Sequence, residues 1–172
     1  MRAWMAPLAV GAIVAVAAFH IGVGAVPRGL MSVATGRIAQ AGGINHMAFA
    51  PLATDRSRLV VRPSPDLAYA SCPFDLAERP LLIEAAAVDA PYWSLSVFDG
   101  RTNAAFVRNN LQARNAPMRI ALVRPGQPAP AGVEAVTVPT RRGIALIRIL
   151  IPDRAAFAAI DAARRASFCR SL

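Results

Sequence analysis

Apolar and polar positions follow two different rhythms along this chain. From Met5 to Val26 the stretch MAPLAVGAIVAVAAFHIGVGAV carries no formal charge and is broken only by Pro7 and His20. A helix needs roughly 20 apolar residues to cross a bilayer, and this run supplies them. Pro27 then predicts the end of that helix and Arg28 its interface with water. Residues 28–41 place Leu30, Met31, Ala34, Ile38 and Ala41 on one helical face, which predicts a short amphipathic helix closed by Gly42-Gly43. The stretch Asn45 to Asp55 reads as irregular linker.

Beyond the linker the period changes to two, with frequent turn signals, as in an antiparallel sheet. Strands are predicted at Arg58–Arg62, Leu67–Phe74, Leu81–Ala87, Tyr92–Phe98, Ala104–Asn109, Met118–Arg124, Glu134–Val138 and Gly143–Ile151. Between Tyr92 and Phe98 the alternation is strict. It turns Trp93, Leu95 and Val97 toward a core and Tyr92, Ser94, Ser96 and Phe98 the other way. Asp99-Gly100 opens a turn, as do Pro63-Ser64-Pro65 and Pro125-Gly126. Asp153 is a natural N-cap for a closing helix whose Phe157, Ile160 and Ala163 share a face. The fold class expected is therefore α+β: an N-terminal transmembrane helix, a mainly antiparallel β-sheet domain, and a C-terminal helix. The expected divisions are residues 1–27, 28–57 and 58–172.

Composition sharpens this picture in two places. Hydrophobic residues form 55% of the chain, and the uncharged N-terminal run accounts for the excess. It reads as an uncleaved anchor, with a cleaved signal peptide ending near Val23-Gly24-Ala25 and a buried soluble helix as the alternatives. The formal net charge is +9, and all 19 basic residues are Arg. They are scattered; only Arg141-Arg142 and Arg164-Arg165 are adjacent pairs. Without a basic stripe or a known motif, nucleic acid is not the expected partner. A solvated surface, or one close to lipid headgroups, fits better.

Candidate chemistry is sparse. The sequence has no nucleophile elbow, phosphate-binding loop or His-Glu-x-x-His. His20 lies in the apolar run, and His46 alone is a poor start for a metal site, so neither metal nor cofactor is expected. The best polar constellation joins Asp66, Tyr69, Tyr92, Arg108 and Asn109, with Asp75, Asp99 and Asn103 nearby. An Arg beside aromatic rings suits a carboxylate or phosphate ligand; the competing reading is turn chemistry at strand ends. Arg108 is the expected anchor, supported by Tyr69 and Tyr92. The chain has two cysteines, Cys72 in a central strand and Cys169 at the end of the last helix. The two are expected to be joined in a disulfide, which would belong to an oxidising compartment; two unpaired thiols are the alternative.

The runs SPDLAYASCPFDL from Ser64 to Leu76, PLLIEAA after a short turn, and YWSLSVFDGRTNAAFVRNN resemble the domain of unknown function 1254 family. The similarity extends more weakly through RRGIALIRILIPD to ASFCRSL and looks most like a short, membrane-anchored proteobacterial branch. In long members a second domain, of unknown function 1214, follows. Long members tend to carry Asn where this chain has Pro65, which puts a ligand role for that position in doubt. The resemblance implies a β-rich domain in the cell envelope, and a companion protein of the 1214 type as a partner beside the lipid bilayer. It implies no established activity. The resulting expectation is a single-pass inner-membrane protein with a periplasmic, non-catalytic binding or assembly domain. The alternatives are a periplasmic protein after signal cleavage, or a tethered enzyme acting on a small anionic substrate.

Overall fold

The structure is a computed structural model that describes residues 2–57 and 63–172. The strand expected at Arg58–Arg62 lies outside the described residues. The first element, α1, is one helix from Arg2 to Gly42, and Pro7 and Pro27 both lie inside it. Pro27 therefore does not end the helix. A proline removes one ladder bond and crowds the preceding turn, but residues beyond it are held from outside. Met31 and Ala34 are buried against Ile144 and Phe98, with Ile38 packed alongside. The Arg28 guanidinium donates to the Gly24 carbonyl one turn earlier. Leu30, expected on the packed face, is exposed instead.

The helix stops where the sequence expects. Gly43 has φ +88°, a left-handed conformation that suits glycine, and its N–H donates to the Ala39 carbonyl at 2.7 Å. Asn45, also left-handed at φ 61°, then ties the helix end to the domain. Its N–H donates to the Pro73 carbonyl. Its side chain exchanges hydrogen bonds with the Asp75 backbone and donates to Ser171 Oγ at 3.0 Å.

Nine strands follow among the described residues: β1 (Ala48–Phe49), β2 (Leu67–Asp75), β3 (Leu81–Ala85), β4 (Trp93–Asp99), β5 (Ala104–Asn109), β6 (Met118–Val123), β7 (Glu134–Thr137), β8 (Arg142–Leu150) and β9 (Phe168–Ser171). Helix α2, Phe157–Arg164, lies between β8 and β9. One sheet, sheet A, has the order β1-β2-β8-β4-β5; the other, sheet B, has the order β7-β6-β3-β9. All pairings are antiparallel except β6 with β7. The α+β class is as the sequence predicts, and most strands fall within a residue or two of expectation.

Two local expectations need correction. Asp153 does not cap α2 itself: it accepts from the Ala156 N–H in the turn that precedes the helix. Chain after Arg165 is not helical. It turns at Ala166-Ser167 and pairs as β9 with β3, setting Cys169 opposite Ile83. A free sheet edge offers β9 hydrogen bonds that one more helical turn could not supply.

The sheets close over a single core. Ala70, Cys72 and Phe74 of β2, Trp93, Leu95 and Val97 of β4, and Ile147 and Ile149 of β8 face Ile83 of β3 and Ile120 and Leu122 of β6. Phe74 crosses the chain at Gly143, where an added Cβ would meet the Phe98 carbonyl at 2.2 Å and the Phe74 ring at 2.5 Å. Cys72 and Cys169 are joined in a disulfide with a Cα–Cα distance of 6.5 Å. Because Cys169 sits on β9, the bond connects the two sheets rather than fastening a terminal helix.

Trp93 is fully buried. Trp93→Ala should therefore lower the unfolding free energy of the domain by about 3–5 kcal/mol in denaturant titration; a loss below about 1 kcal/mol would contradict its place in the core.

Candidate functional site

Strand register sorts the sequence-predicted site residues onto two faces. Leu95 pairs with Arg108, and Ser94 pairs with Asn109 on one side and Arg148 on the other. Tyr69 pairs with Arg148 across β2 and β8. Side chains alternate along a strand. Arg108 therefore points inward with Leu95, toward sheet B, while Tyr69, Arg148, Ser94 and Asn109 form one row on the outer face of sheet A. Tyr92, one residue before β4, continues the outward alternation and is exposed. Asp66 lies beyond the row, its carbonyl accepting from the Ile151 N–H.

The structure thus places Tyr69, Tyr92 and Asn109 on one face of sheet A, on or beside different strands, and Arg108 on the other. Arg108 is engaged elsewhere. Its guanidinium forms a two-point pair with Glu134 of β7, at 2.8 and 2.7 Å, and lies 4.9 Å from the centre of the Phe106 ring. The pair raises the pKa of Arg108 and lowers that of Glu134. It closes the open edge of the sandwich between β5 and β7. The constellation of Asp66, Tyr69 and Arg108 expected for a tethered enzyme is not assembled.

The cation that faces Tyr69 is Arg148, which the sequence reading passed over. Its signal was a single charge in the apolar run IALIRIL, between Ile147 and Ile149, both buried. Arg148 is partly buried, and its one hydrogen bond among the described residues is a long one, 3.4 Å, to Ser96 Oγ. Its Nε and the hydroxyl of Ser94 are buried with no hydrogen-bond partner. Tyr69 O–H accepts from the Ser64 N–H at 3.0 Å, and Asn109 Oδ1 accepts from the Gln112 N–H at 2.9 Å. Leu146 and Leu150 flank Arg148 on the same face, where α1 covers the Ile144 end.

Two other polar features have structural roles. Asp99 is buried at the end of β4, where the following turn begins. Burial pushes its carboxyl up, but the Asn103 amide and the N–H groups of Arg101 and Asn103 outweigh burial and hold it below its ordinary value. This is the turn chemistry that Asp and Asn at strand ends supply. Asp75 accepts from both Arg141 and Arg142. The Arg141 guanidinium leads in holding its carboxyl well below the usual carboxylate range, against an opposing effect of burial. A polar cleft of about 370 Å³ opens beside this cluster, lined by Asn45, Asp75, Glu78, Arg79, Arg141 and Ser171. A second, of about 510 Å³, lies between the Ala87–Pro91 loop and Asn110, Leu111 and Asn115.

Residues 44–171, about three quarters of the chain, match the family described as protein of unknown function (DUF1254). The chain belongs to the DUF1254 family. None of the curated proteins matches it. Among solved structures, the DUF1254 domain is similar to the VPA0106 protein from Vibrio parahaemolyticus. The TM-score is 0.62 at 14% identity, over 85% of this chain and 37% of that protein. An uncharacterized protein from Burkholderia cenocepacia matches with a TM-score of 0.48 at 13% identity, over 75% of this chain and 34% of its own. At these identities the likeness to the Vibrio protein shows the fold. The chain spans just over a third of the length of either protein.

The Asp75 cluster sets a pH dependence. The folded carboxyl sits below its unfolded value, near 3.9, so its contribution is present above about pH 4 and is lost as pH falls below that. Unfolding free energy measured between about pH 6 and about pH 2 should fall below about pH 4. Asp75→Asn should reduce that fall, and an unchanged acid limb would contradict the role of the cluster.

Proposed function

We propose that this DUF1254 protein is a single-pass inner-membrane protein whose periplasmic domain is a binding or assembly module. One observation carries the reading: a continuous helix joins the uncharged segment to the folded domain. Between Trp4 and Val26 its large apolar side chains are exposed, with nothing in the domain packed over them. A few turns later Met31, Ala34 and Ile38 are docked on sheet A. An exposed apolar helix of this length is costly in water and stable in lipid. The disulfide supports an oxidising compartment and hence the periplasmic side.

A binding role accords with the surroundings of four carboxyl groups. Asp75, Asp99, Glu134 and Asp161 all have pKa values below the ordinary range, each held by arginines or turn donors. General acid–base catalysis near neutrality needs the opposite shift. The partner we propose is a companion protein of the DUF1214 type. The family resemblance supports this partner, and the Vibrio protein, of which this chain corresponds to just over a third, is long enough to hold a second domain.

Carbonate extraction of membranes from cells making the full chain tests the anchor. The protein should stay in the membrane pellet with its N-terminus intact. Release into the soluble fraction, or a mature protein beginning after Ala25, would replace the anchor with a cleaved signal.

A further inference from the structure

We propose that the outer face of sheet A carries an anion-binding site centred on Arg148, and that its ligand is a small carboxylate- or phosphate-bearing group. The inference deepens the binding-module reading by naming a site and a ligand class; it does not depend on the anchor.

Arg148 is partly buried, and its Nε is fully shielded from solvent. Removing a guanidinium from water is expensive unless other groups replace its solvation. The chain shows what full replacement looks like at Arg164, which is buried, pairs with Asp161 and donates to the backbone carbonyls of Tyr69 and Ala50. Arg148 has no such set. No carboxylate pairs with it among the described residues, its Nε is unpartnered, and its remaining contact is the long bond to Ser96. Directly across the strand pair, Ser94 Oγ is equally buried and equally unpartnered. Two unsatisfied polar groups in opposed residues are expected where an acceptor supplied from outside completes the network.

Among the described residues the row offers donors and no competing carboxylate. Tyr69 O–H uses its oxygen to accept from Ser64 and keeps its proton to donate. Asn109 uses its Oδ1 to accept from the Gln112 N–H, and its amide N–H groups remain donors. A planar guanidinium beside hydroxyl donors matches the oxygens of a carboxylate or phosphate. Leu150 and Leu146 on either side of Arg148 lower the local dielectric and strengthen that bond. The site lies on a sheet face and not in a deep cavity, so it fits an anionic headgroup or a small free anion.

The test uses the full chain with ¹⁵N-labelled arginine in nanodiscs of neutral phosphatidylcholine. The Nε–H signal of Arg148, assigned by its loss in Arg148→Lys, is followed during titration with inorganic phosphate and with acetate. A second preparation replaces part of the lipid with phosphatidylglycerol. A saturable shift of Arg148 with a free anion supports a soluble ligand; a shift only in phosphatidylglycerol discs supports a lipid headgroup. In either case Arg148→Gln should weaken binding at least about tenfold, and Ser94→Ala several-fold, in line with charge-assisted and neutral hydrogen bonds. If Arg148→Gln does not fold, the wild-type shift and Ser94→Ala decide. An Arg148 signal unmoved in every arm overturns the proposal. So does equal binding by the variants, or shifts confined to exposed arginines such as Arg124. Those results would leave membrane retention, and the anchor reading, intact.

Discussion

The bond between Cys72 and Cys169 is the constraint on which the rest of the domain rests, because it crosses from one sheet to the other. Sheet A and sheet B share a core, but β9 is a short, four-residue edge strand, held otherwise by its pairing to β3. Such an edge frays readily. The disulfide closes a sequence separation of 97 residues, for which the chain-entropy account gives about 4–5 kcal/mol. That is a large share of the stability of an ordinary domain. Close by, Asn45 binds the end of β2 and Ser171 of β9, so the end of α1 is fastened to the same corner that the disulfide secures.

From that corner the outer face of sheet A acquires its division of labour. At one end Ile144 and Phe98 receive Met31 and Ala34 of α1, which sets the direction in which the apolar helix leaves the domain. In the middle lies the row of Tyr69, Arg148, Ser94 and Asn109. The helix and the polar row share one rigid sheet, whose central strand β8 pairs with β2 along one side and β4 along the other. Whatever occupies the row is therefore held at a fixed position relative to the helix. Five arginines outside the row are tied into the scaffold: Arg108 to Glu134, Arg141 and Arg142 to Asp75, Arg164 and Arg165 to Asp161.

Much of this was legible in the sequence because period-two alternation reports directly which side of a strand is buried. Trp93, Leu95 and Val97 illustrate it: the pattern predicted their common face, and they lie in the core. What the pattern does not report is which strands are neighbours. Strand β8 is inserted between β2 and β4, strands far earlier in the chain, and only that insertion sets Arg148 between Tyr69 and Ser94. The same blindness misplaced Arg108, whose residue type suited a ligand but whose parity in β5 turns it toward Glu134. Pro27 failed as a stop signal because packing beyond it outweighs the loss of one backbone bond. The strand β9 was missed because its partner edge on β3 comes from a distant part of the chain.

The central claim is that an apolar helix carries a disulfide-stapled domain across the membrane into an oxidising compartment. It is tested most directly by trapping the cysteines in intact cells with a membrane-permeant alkylating reagent before lysis, then counting the labels by mass. The account predicts a full-length chain with no label, gaining two only after reduction. Two labels on the native chain without reduction would place the domain in a reducing compartment and contradict it.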